Sequence, residues 1–263
     1  MPPNYPYEYA VLPGATMDQI NEPSDAERLE GFNFFFGITE VVGAFMIILI
    51  GVWIGNFRGG LGWTSNPKLE FNWHPLMMVL GLVFLYSNGM LIYRTQRNVR
   101  KRRLKLIHGG IMMFSLLFTI IGLIAVFDSH NLATPPIPNM YSLHSWVGLT
   151  SVLLFCCQWV AGGFSFLFPG IQPHLRAAYM PVHIYFGTAG FIGAIASCLL
   201  GLNEKAIFAI KDYSQFSNEG ILVNIIGMSL IIFGGLSVYI VSQNRYKRLP
   251  RPEDDVLLTP RNQ

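Results

Sequence analysis

The chain has 263 residues, of which 52% are hydrophobic and 13% charged, and its mean hydropathy is +0.41. Soluble domains carry about 25% charged residues, so the composition excludes that class and indicates a membrane protein. The net charge is only +3; we expect membrane lipid, and no nucleic acid, around the chain.

Residues 1–31 are polar and acidic and have no basic segment followed by a short apolar core. This pattern excludes a cleavable signal peptide and predicts a mostly disordered cytosolic arm. A helix needs roughly 20 apolar residues to cross the hydrocarbon core. Six runs qualify within residues 32–242: about 32–54, 73–93, 106–127, 143–166, 182–202 and 220–242. Runs of this length must be helical, because backbone groups cannot be left unpaired in lipid. We therefore expect an all-α membrane protein.

Lysine and arginine are distributed unevenly over the loops. Fourteen of the 18 fall on the side that holds both termini and the loops 2–3 and 4–5. Cytosolic loops are enriched in these residues, so both termini are predicted to be cytosolic, including the tail 243–263. The densest cluster is loop 2–3, with Arg94, Arg97, Arg100, Lys101, Arg102, Arg103 and Lys105.

Four histidines lie in the first turns of an apolar run. Helices 2 and 4 run inward, which puts His74 and His144 near the outer face. Helices 3 and 5 run outward, which puts His108 and His183 near the cytosolic face. The topology therefore predicts two pairs, one at each face of the membrane.

Two histidines at one level are too few ligands for structural zinc, which takes four. Bis-histidine haem needs two facing imidazoles, and helix bundles build such sites from facing helices. We therefore expect a central bundle of helices 2–5 that holds two haems and transfers electrons across the membrane. Gly148 and Gly187 follow His144 and His183 by four residues and either admit a porphyrin or serve ordinary helix packing.

Other polar and sulfur-containing residues lie inside the apolar runs. Glu40 in helix 1 is either functional or extends to the interface. Cys156, Cys157 and Cys198 are interpreted as buried or lipid-facing residues, and the absence of Cys-x-x-Cys-His argues against covalent haem. The rival interpretation is a six-helix transporter or channel that uses the histidines as proton or metal relays; broken helices and internal repeats, which would favour it, are not evident.

Several motifs together resemble the cytochrome b561 family, in its animal ascorbate-dependent branch, over about residues 35–248. They are Phe71-Asn72-Trp73-His74-Pro75, Tyr93-Arg94, Lys105-x-x-His108-Gly109, the stretch from Asn139 to Trp146, Met180-Pro181-Val182-His183 and Gly201-Leu202-Asn203-Glu204-Lys205. The resemblance implies two non-covalent haem b groups, a homodimer and cytosolic ascorbate as donor. It also implies an outer acceptor, either monodehydroascorbate or ferric iron, and so a transmembrane oxidoreductase.

The resemblance assigns roles to residues on both sides. Lys101 and Lys105, before His108, and Arg176, before His183, match the family's cytosolic ascorbate site, where cations suit a monoanion. The basic character of Lys101 and Lys105 is equally explained by the enrichment of lysine and arginine in cytosolic loops. His130 matches a histidine near the outer acceptor, where it would bind ferric iron or handle a proton.

Asn139, Tyr141 and Ser142 are expected at the rim of the outer haem and acceptor site, with Arg58 and Lys68 neutralising charge there. His174 is interpreted as a solvated residue in loop 4–5. In the tail, Glu253 and Leu257-Leu258 resemble an endosomal or lysosomal sorting signal, though an ordinary tail is equally compatible. An endosomal, lysosomal, secretory-vesicle or plasma membrane is therefore expected.

Overall fold

Every regular element in the described parts of the chain is helical. A computed structural model describes residues 25–168 and 171–249, and within these ranges there is no strand. Six helices are long and apolar enough to cross a membrane, which confirms the predicted all-α class and the six spans. They are α1 Phe32–Phe57, α2 Pro67–Thr95, α3 Lys101–Asn131, α4 Leu143–Leu167, α5 Pro173–Ala209 and α6 Asn218–Ser242.

The helices are longer than the apolar runs that predicted them. α5 begins at Pro173 and ends at Ala209, where the sequence predicted 182–202. Apolar runs mark only the part of a helix that crosses hydrocarbon, whereas the backbone stays helical until a cap or proline ends it. Several residues predicted in loops therefore lie on helices: Lys101, Lys105, His130, His174, Arg176 and Lys205.

Polar caps fix where the helices begin. The Asn66 side chain accepts from the Leu69 amide before α2, with Pro67 in the first turn. Ser142 accepts from the amide of Ser145 at the start of α4, and Ser217 caps α6 in the same way. These side chains satisfy amide groups that the first turn of a helix leaves without a partner.

The central bundle is built from two helical hairpins. α2 packs along α3, α4 packs along α5, and α2 and α3 also touch the second hairpin. α1 packs against α6, and α6 packs against α2 and α5. At Gly43 in α1, an added Cβ would lie 2.7 Å from the Phe233 ring and 2.9 Å from that of Phe84. Glycine is needed here because three helices meet closely.

The segments that precede α1 and follow α6 meet on one side of the bundle. Tyr246 is fully buried after α6, and its hydroxyl donates to the Glu30 carbonyl at 3.0 Å. The Arg97 guanidinium lies 4.1 Å from the ring centre of Phe32. A one-turn helix, Asp25–Arg28, precedes this cluster. The expected disorder of the arm up to residue 24 and the sorting signal at 253–258 lie outside the described residues.

Candidate functional site

His74 from α2 and His144 from α4 face each other at one end of the bundle. Their ring centres are 6.0 Å apart, with the planes at 85°. The Nδ1 of His74 donates to the Gly122 carbonyl at 3.1 Å, and that of His144 donates to the Ser197 carbonyl at 2.8 Å. A carbonyl can only accept, so Nδ1 carries the hydrogen and Nε2 keeps its lone pair.

His108 from α3 and His183 from α5 form a matching pair at the other end. Their ring centres are 6.2 Å apart, with the planes at 72°. The Nδ1 of His108 donates to the Gly89 carbonyl at 2.8 Å. The Nδ1 of His183 is buried without a hydrogen-bond partner, and its ring packs against Phe166 at 5.3 Å. Three of the four imidazoles are thus fixed with Nε2 available to a metal.

Helix register gives the separation of the two pairs. On α3, the Gly122 carbonyl that bonds His74 is 14 residues after His108. On α5, the Ser197 carbonyl that bonds His144 is 14 residues after His183. At about 1.5 Å per residue, both helices place the pairs roughly 21 Å apart. That spacing fits within a hydrocarbon core of about 30 Å, with one pair toward each side.

The spacing within each pair fits one metal ion. An ion bound about 2 Å from an imidazole nitrogen on each side needs ring centres roughly 6 Å apart. Both pairs have this spacing. No group of three or more histidine, cysteine or acidic side chains that could hold a metal occurs among the described residues. The donor set therefore fits a metal whose other ligands come from a cofactor, as in bis-histidine haem.

Two glycines make room for the imidazoles, a role that the sequence did not predict for either of them. A Cβ on Gly162 would lie 2.9 Å from Cε1 of His183, and one on Gly201 would lie 2.7 Å from Cε1 of His144. Each glycine is on the opposite helix of the hairpin from its histidine, and no local motif links them. Sequence spacing therefore carried no signal for either position.

The two glycines predicted to admit a porphyrin, Gly148 and Gly187, are not the ones that face the histidine rings. A Cβ on Gly148 would lie 2.8 Å from the Ser197 hydroxyl, and one on Gly187 would meet nothing within 4 Å. The Gly187 carbonyl accepts from the Tyr86 hydroxyl at 2.8 Å. Gly148 thus serves close packing of α4 and α5 and also lines a cavity beside His144.

A large cavity opens beside His74 and His144. Its volume is about 960 Å³, and its lining is mostly apolar with a smaller number of polar side chains, as in small-molecule and cofactor sites. This outer cavity brings together the residues predicted for the outer rim and several others. The polar and charged side chains in its lining include Arg58, Asn66, Lys68, His130, Asn139, Tyr141, Ser142, Glu204 and Lys205.

Hydrogen bonds order the mouth of the outer cavity. His130 lies in the last turn of α3, and its Nδ1 is 3.0 Å from Oδ1 of Asn139. The Asn139 amide donates to Oδ1 of Asn131 at 2.8 Å. The Ser142 hydroxyl donates to the Glu204 carboxylate at 3.2 Å. The side chain of Tyr141 is 61% exposed, so it is available to a molecule that enters from solution.

Basic side chains gather at the opposite end, beside His183. Lys105 donates to the Phe166 carbonyl at 3.1 Å, and Arg176 donates to the Phe168 carbonyl at 3.4 Å. The charges of Arg176 and Lys101 lie close enough to act on Lys105. Since the ring of Phe166 packs on His183, these cations adjoin the second imidazole pair.

Most of the remaining predicted residues lie apart from the two pairs, although Cys198 lines the cavity beside His74 and His144. Glu40 on α1 is partly buried, with Oε1 lacking a partner while Asn88 bonds the carboxylate. His174 is exposed at the start of α5. Cys156, Cys157 and Cys198 are free thiols. Their positions assign no chemistry to Glu40, His174 or the cysteines.

Six helices that can cross a membrane, with imidazoles paired at two depths, fit a multi-pass membrane haem protein. Residues 73–209 match the family model described as eukaryotic cytochrome b561, and the chain belongs to this family. Membership confirms the resemblance seen in the motifs and implies haem b binding.

Several curated proteins are similar over most of their length. The chain is 40% identical over 225 residues to the transmembrane ascorbate-dependent reductase CYB561 of Homo sapiens, which covers 85% of this chain and 88% of the relative. It is 41% identical over 238 residues to the plasma membrane ascorbate-dependent reductase CYBRD1 of Xenopus tropicalis, which covers 89% and 83%. The mouse CYB561 protein is 38% identical over 237 residues, covering 90% and 93%.

Proposed function

We propose that this protein transfers single electrons across a membrane, from cytosolic ascorbate to an acceptor in the outer cavity. The observation that carries the proposal is the geometry of the four histidines. Two imidazole pairs have ring centres 6.0 and 6.2 Å apart and lie roughly 21 Å from each other along the helices. Several relatives are named ascorbate-dependent reductases, which supports ascorbate as the donor.

His74 and His144 would hold one haem b, and His108 and His183 the other. When bound, these groups supply reversible one-electron chemistry. The chain's own contribution is orientation. The carbonyls of Gly122, Ser197 and Gly89 fix the imidazole tautomer, and hydrogen bonds of this kind raise the basicity of a ligating histidine.

Lys101, Lys105 and Arg176 would bind the ascorbate monoanion on the cytosolic side. Lys105 and Arg176 already donate to carbonyls at the end of α4, so their positive ends are held beside His183. Cations in a partly desolvated pocket attract an anion and make charge-assisted hydrogen bonds with it. Lysine and arginine counts support this orientation, with both termini in the cytosol.

The outer cavity would receive the acceptor, either monodehydroascorbate or a ferric complex. His130 would act at its mouth as a metal ligand or proton carrier, because imidazole does both near neutral pH. Its contact with Asn139 at 3.0 Å holds the ring beside the cavity. Tyr141 and Ser142 would hydrogen-bond the acceptor, and Arg58 and Lys68 would offset negative charge.

The transporter alternative is not favoured, because the chain belongs to a cytochrome family and its histidines pair at two levels rather than lining a midplane site. Residues 32–242 would form the functional domain, between a cytosolic arm and a tail that carries the sorting signal. A homodimer in an endosomal, lysosomal, secretory-vesicle or plasma membrane is part of the same proposal.

A direct test uses the purified full-length protein. We expect about two haem b per chain and conversion of the oxidised haem spectrum to the reduced one by ascorbate. Proteoliposomes loaded with ascorbate should reduce ferric citrate or monodehydroascorbate added outside. A colourless protein, or one that ascorbate does not reduce, would overturn the proposal.

A further inference from the structure

Lys205 lies in the outer cavity, although the sequence places it after the end of the fifth apolar run. Helix α5 continues to Ala209, so Lys205 is still helical and its side chain turns inward. It is partly buried and lines the cavity that also contains His74 and His144. The extra turns of α5 thus bring a cation to the functional site.

An aromatic ring positions the ammonium group close to the outer histidine pair. The Lys205 Nζ lies 3.8 Å from the ring centre of Phe71, a distance at which a cation is attracted to a ring face. The Phe71 ring centre is 6.1 Å from that of His74. Only one aromatic ring therefore separates the ammonium from a proposed haem ligand.

Glu219 and Glu204, two carboxylates on the same side of the bundle as Lys205, are bonded to other residues. Glu219 forms an ion pair with Arg58 and also accepts from the Trp53 indole at 2.8 Å. Glu204 accepts from Ser142. Among the residues that the structure describes, no ion pair joins Lys205 to a carboxylate within 4.0 Å. Lys205 is thus a partly buried cation without a bonded anion.

We propose that Lys205 binds a carboxylate or similar oxyanion that enters the outer cavity. A partly desolvated ammonium is stabilised by an anion. Lys68, a second cation in the lining, favours the same charge, whereas Arg58 is already paired with Glu219. The anion has two possible sources with the same chemistry: a propionate of the haem held by His74 and His144, or an anionic acceptor. The inference rests on the proposed function and adds a binding residue to its outer site.

The test compares Lys205→Ala and Lys205→Arg with Lys211→Ala in the full-length haem protein. Lys211 is exposed and lies outside the outer cavity, so it is a matched control for loss of one positive charge on this side. Lys205→Met replaces the alanine variant if the latter does not fold. The first measurement is a redox titration without acceptor. The second is the KM for ferricyanide, an anion, and for hexaammineruthenium(III), a cation.

Each source of the anion gives its own result. If Lys205 contacts a propionate, Lys205→Ala lowers the midpoint of one haem by about 59 mV, a tenfold change in its reduction equilibrium. If it contacts the acceptor, the midpoint stays and the KM for ferricyanide rises about tenfold, with little change for the ruthenium cation. Lys205→Arg restores either property in part, and Lys211→Ala matches wild type.

The inference is overturned if Lys205→Ala matches wild type in both measurements, or if Lys211→Ala produces the same shifts. In either case the wild-type protein would still show two haem transitions, so the proposed function would stand. A wild-type protein without haem would overturn both.

Discussion

His144 on α4 and Ser197 on α5 are joined by hydrogen bonds in both directions. The imidazole Nδ1 donates to the Ser197 carbonyl at 2.8 Å, and the Ser197 hydroxyl donates to the His144 carbonyl at 3.3 Å. The two bonds fix both the depth and the rotation of the imidazole. A ligand held in this way binds a metal without first losing rotamer freedom.

We therefore expect His144→Leu to abolish one haem site and to leave the other in place. The haem content should fall from about two per chain to about one, measured by the pyridine haemochrome spectrum against protein concentration. His174→Leu is the control, because His174 is exposed at the start of α5. An unchanged haem content in His144→Leu would contradict the assignment.

Gly162→Ala should disturb the cytosolic-side haem selectively. The new Cβ would lie 2.9 Å from Cε1 of His183, whereas at the adjacent Gly163 a Cβ meets nothing within 4 Å. Gly163→Ala is thus a control for helix propensity with no steric effect. We expect a shifted absorption band and midpoint for one haem in the first variant and the wild-type spectrum in the second. Equal behaviour of the two variants would argue against a tight fit at His183.

Arg176→Ala should weaken ascorbate binding. Loss of one charge-assisted hydrogen bond costs about 1.5–3 kcal/mol, or roughly tenfold or more in affinity. The KM for ascorbate should rise by that factor, and more at low ionic strength, while reduction by dithionite stays normal. Arg103→Ala removes an exposed charge of the same cluster and should have a smaller effect. If both variants gave the same KM, the cluster would act only through its net charge.

His130→Ala should slow the transfer to the acceptor while ascorbate still reduces the protein at the wild-type rate. His130 lies at the mouth of the outer cavity and is 3.0 Å from Asn139, far from the basic cluster. Stopped-flow absorbance separates the two steps, because reduction is followed without acceptor and reoxidation after its addition. If the variant retained wild-type rates for both steps, His130 would have no role in the reaction.

Glu219→Ala should destabilise the outer end of α1 and α6. Its carboxylate bonds both Arg58 and the Trp53 indole, and removing one partner of a largely buried pair costs about 3–5 kcal/mol. The unfolding temperature in detergent should fall, whereas Asp212→Ala, at an exposed position, should leave it unchanged. The double variant Arg58→Met, Glu219→Leu should recover part of the loss, since no unpaired charge remains. Failure of the single variant to lower the temperature would mean that the pair is effectively solvated.

Much of the architecture was accessible from the sequence because lipid leaves few choices. Apolar length predicted the six spans, and the distribution of basic residues predicted the depth of each histidine. The structure then brings His74 to His144 and His108 to His183; their role as haem ligands stays a prediction. The depth of each histidine in the membrane was sufficient to predict these pairs, since depth follows from the direction of each helix and requires no knowledge of side-chain packing.

The sequence was less informative where helices continue beyond the apolar core. Lys205 and Arg176 were predicted in loops, yet both lie on α5, because helix ends depend on caps rather than on hydropathy. The contacts of Gly162 and Gly201 with imidazole rings could not be predicted, although Gly201 belongs to a quoted motif, because the ring that each accommodates comes from another helix. Contacts between helices of this kind follow from rotation about the helix axis, which hydropathy does not determine.

Both histidine pairs form only when the two helical hairpins of the bundle dock. The hairpin α2–α3 contributes His74 and His108, and the hairpin α4–α5 contributes His144 and His183. Each hairpin therefore contributes one histidine to each pair, and neither hairpin alone contains a complete pair. A cofactor that binds only the docked form stabilises the docking through mass action. Insertion of the first haem would hold the two hairpins in register and pre-form the second site, so that the two cofactors would be acquired cooperatively.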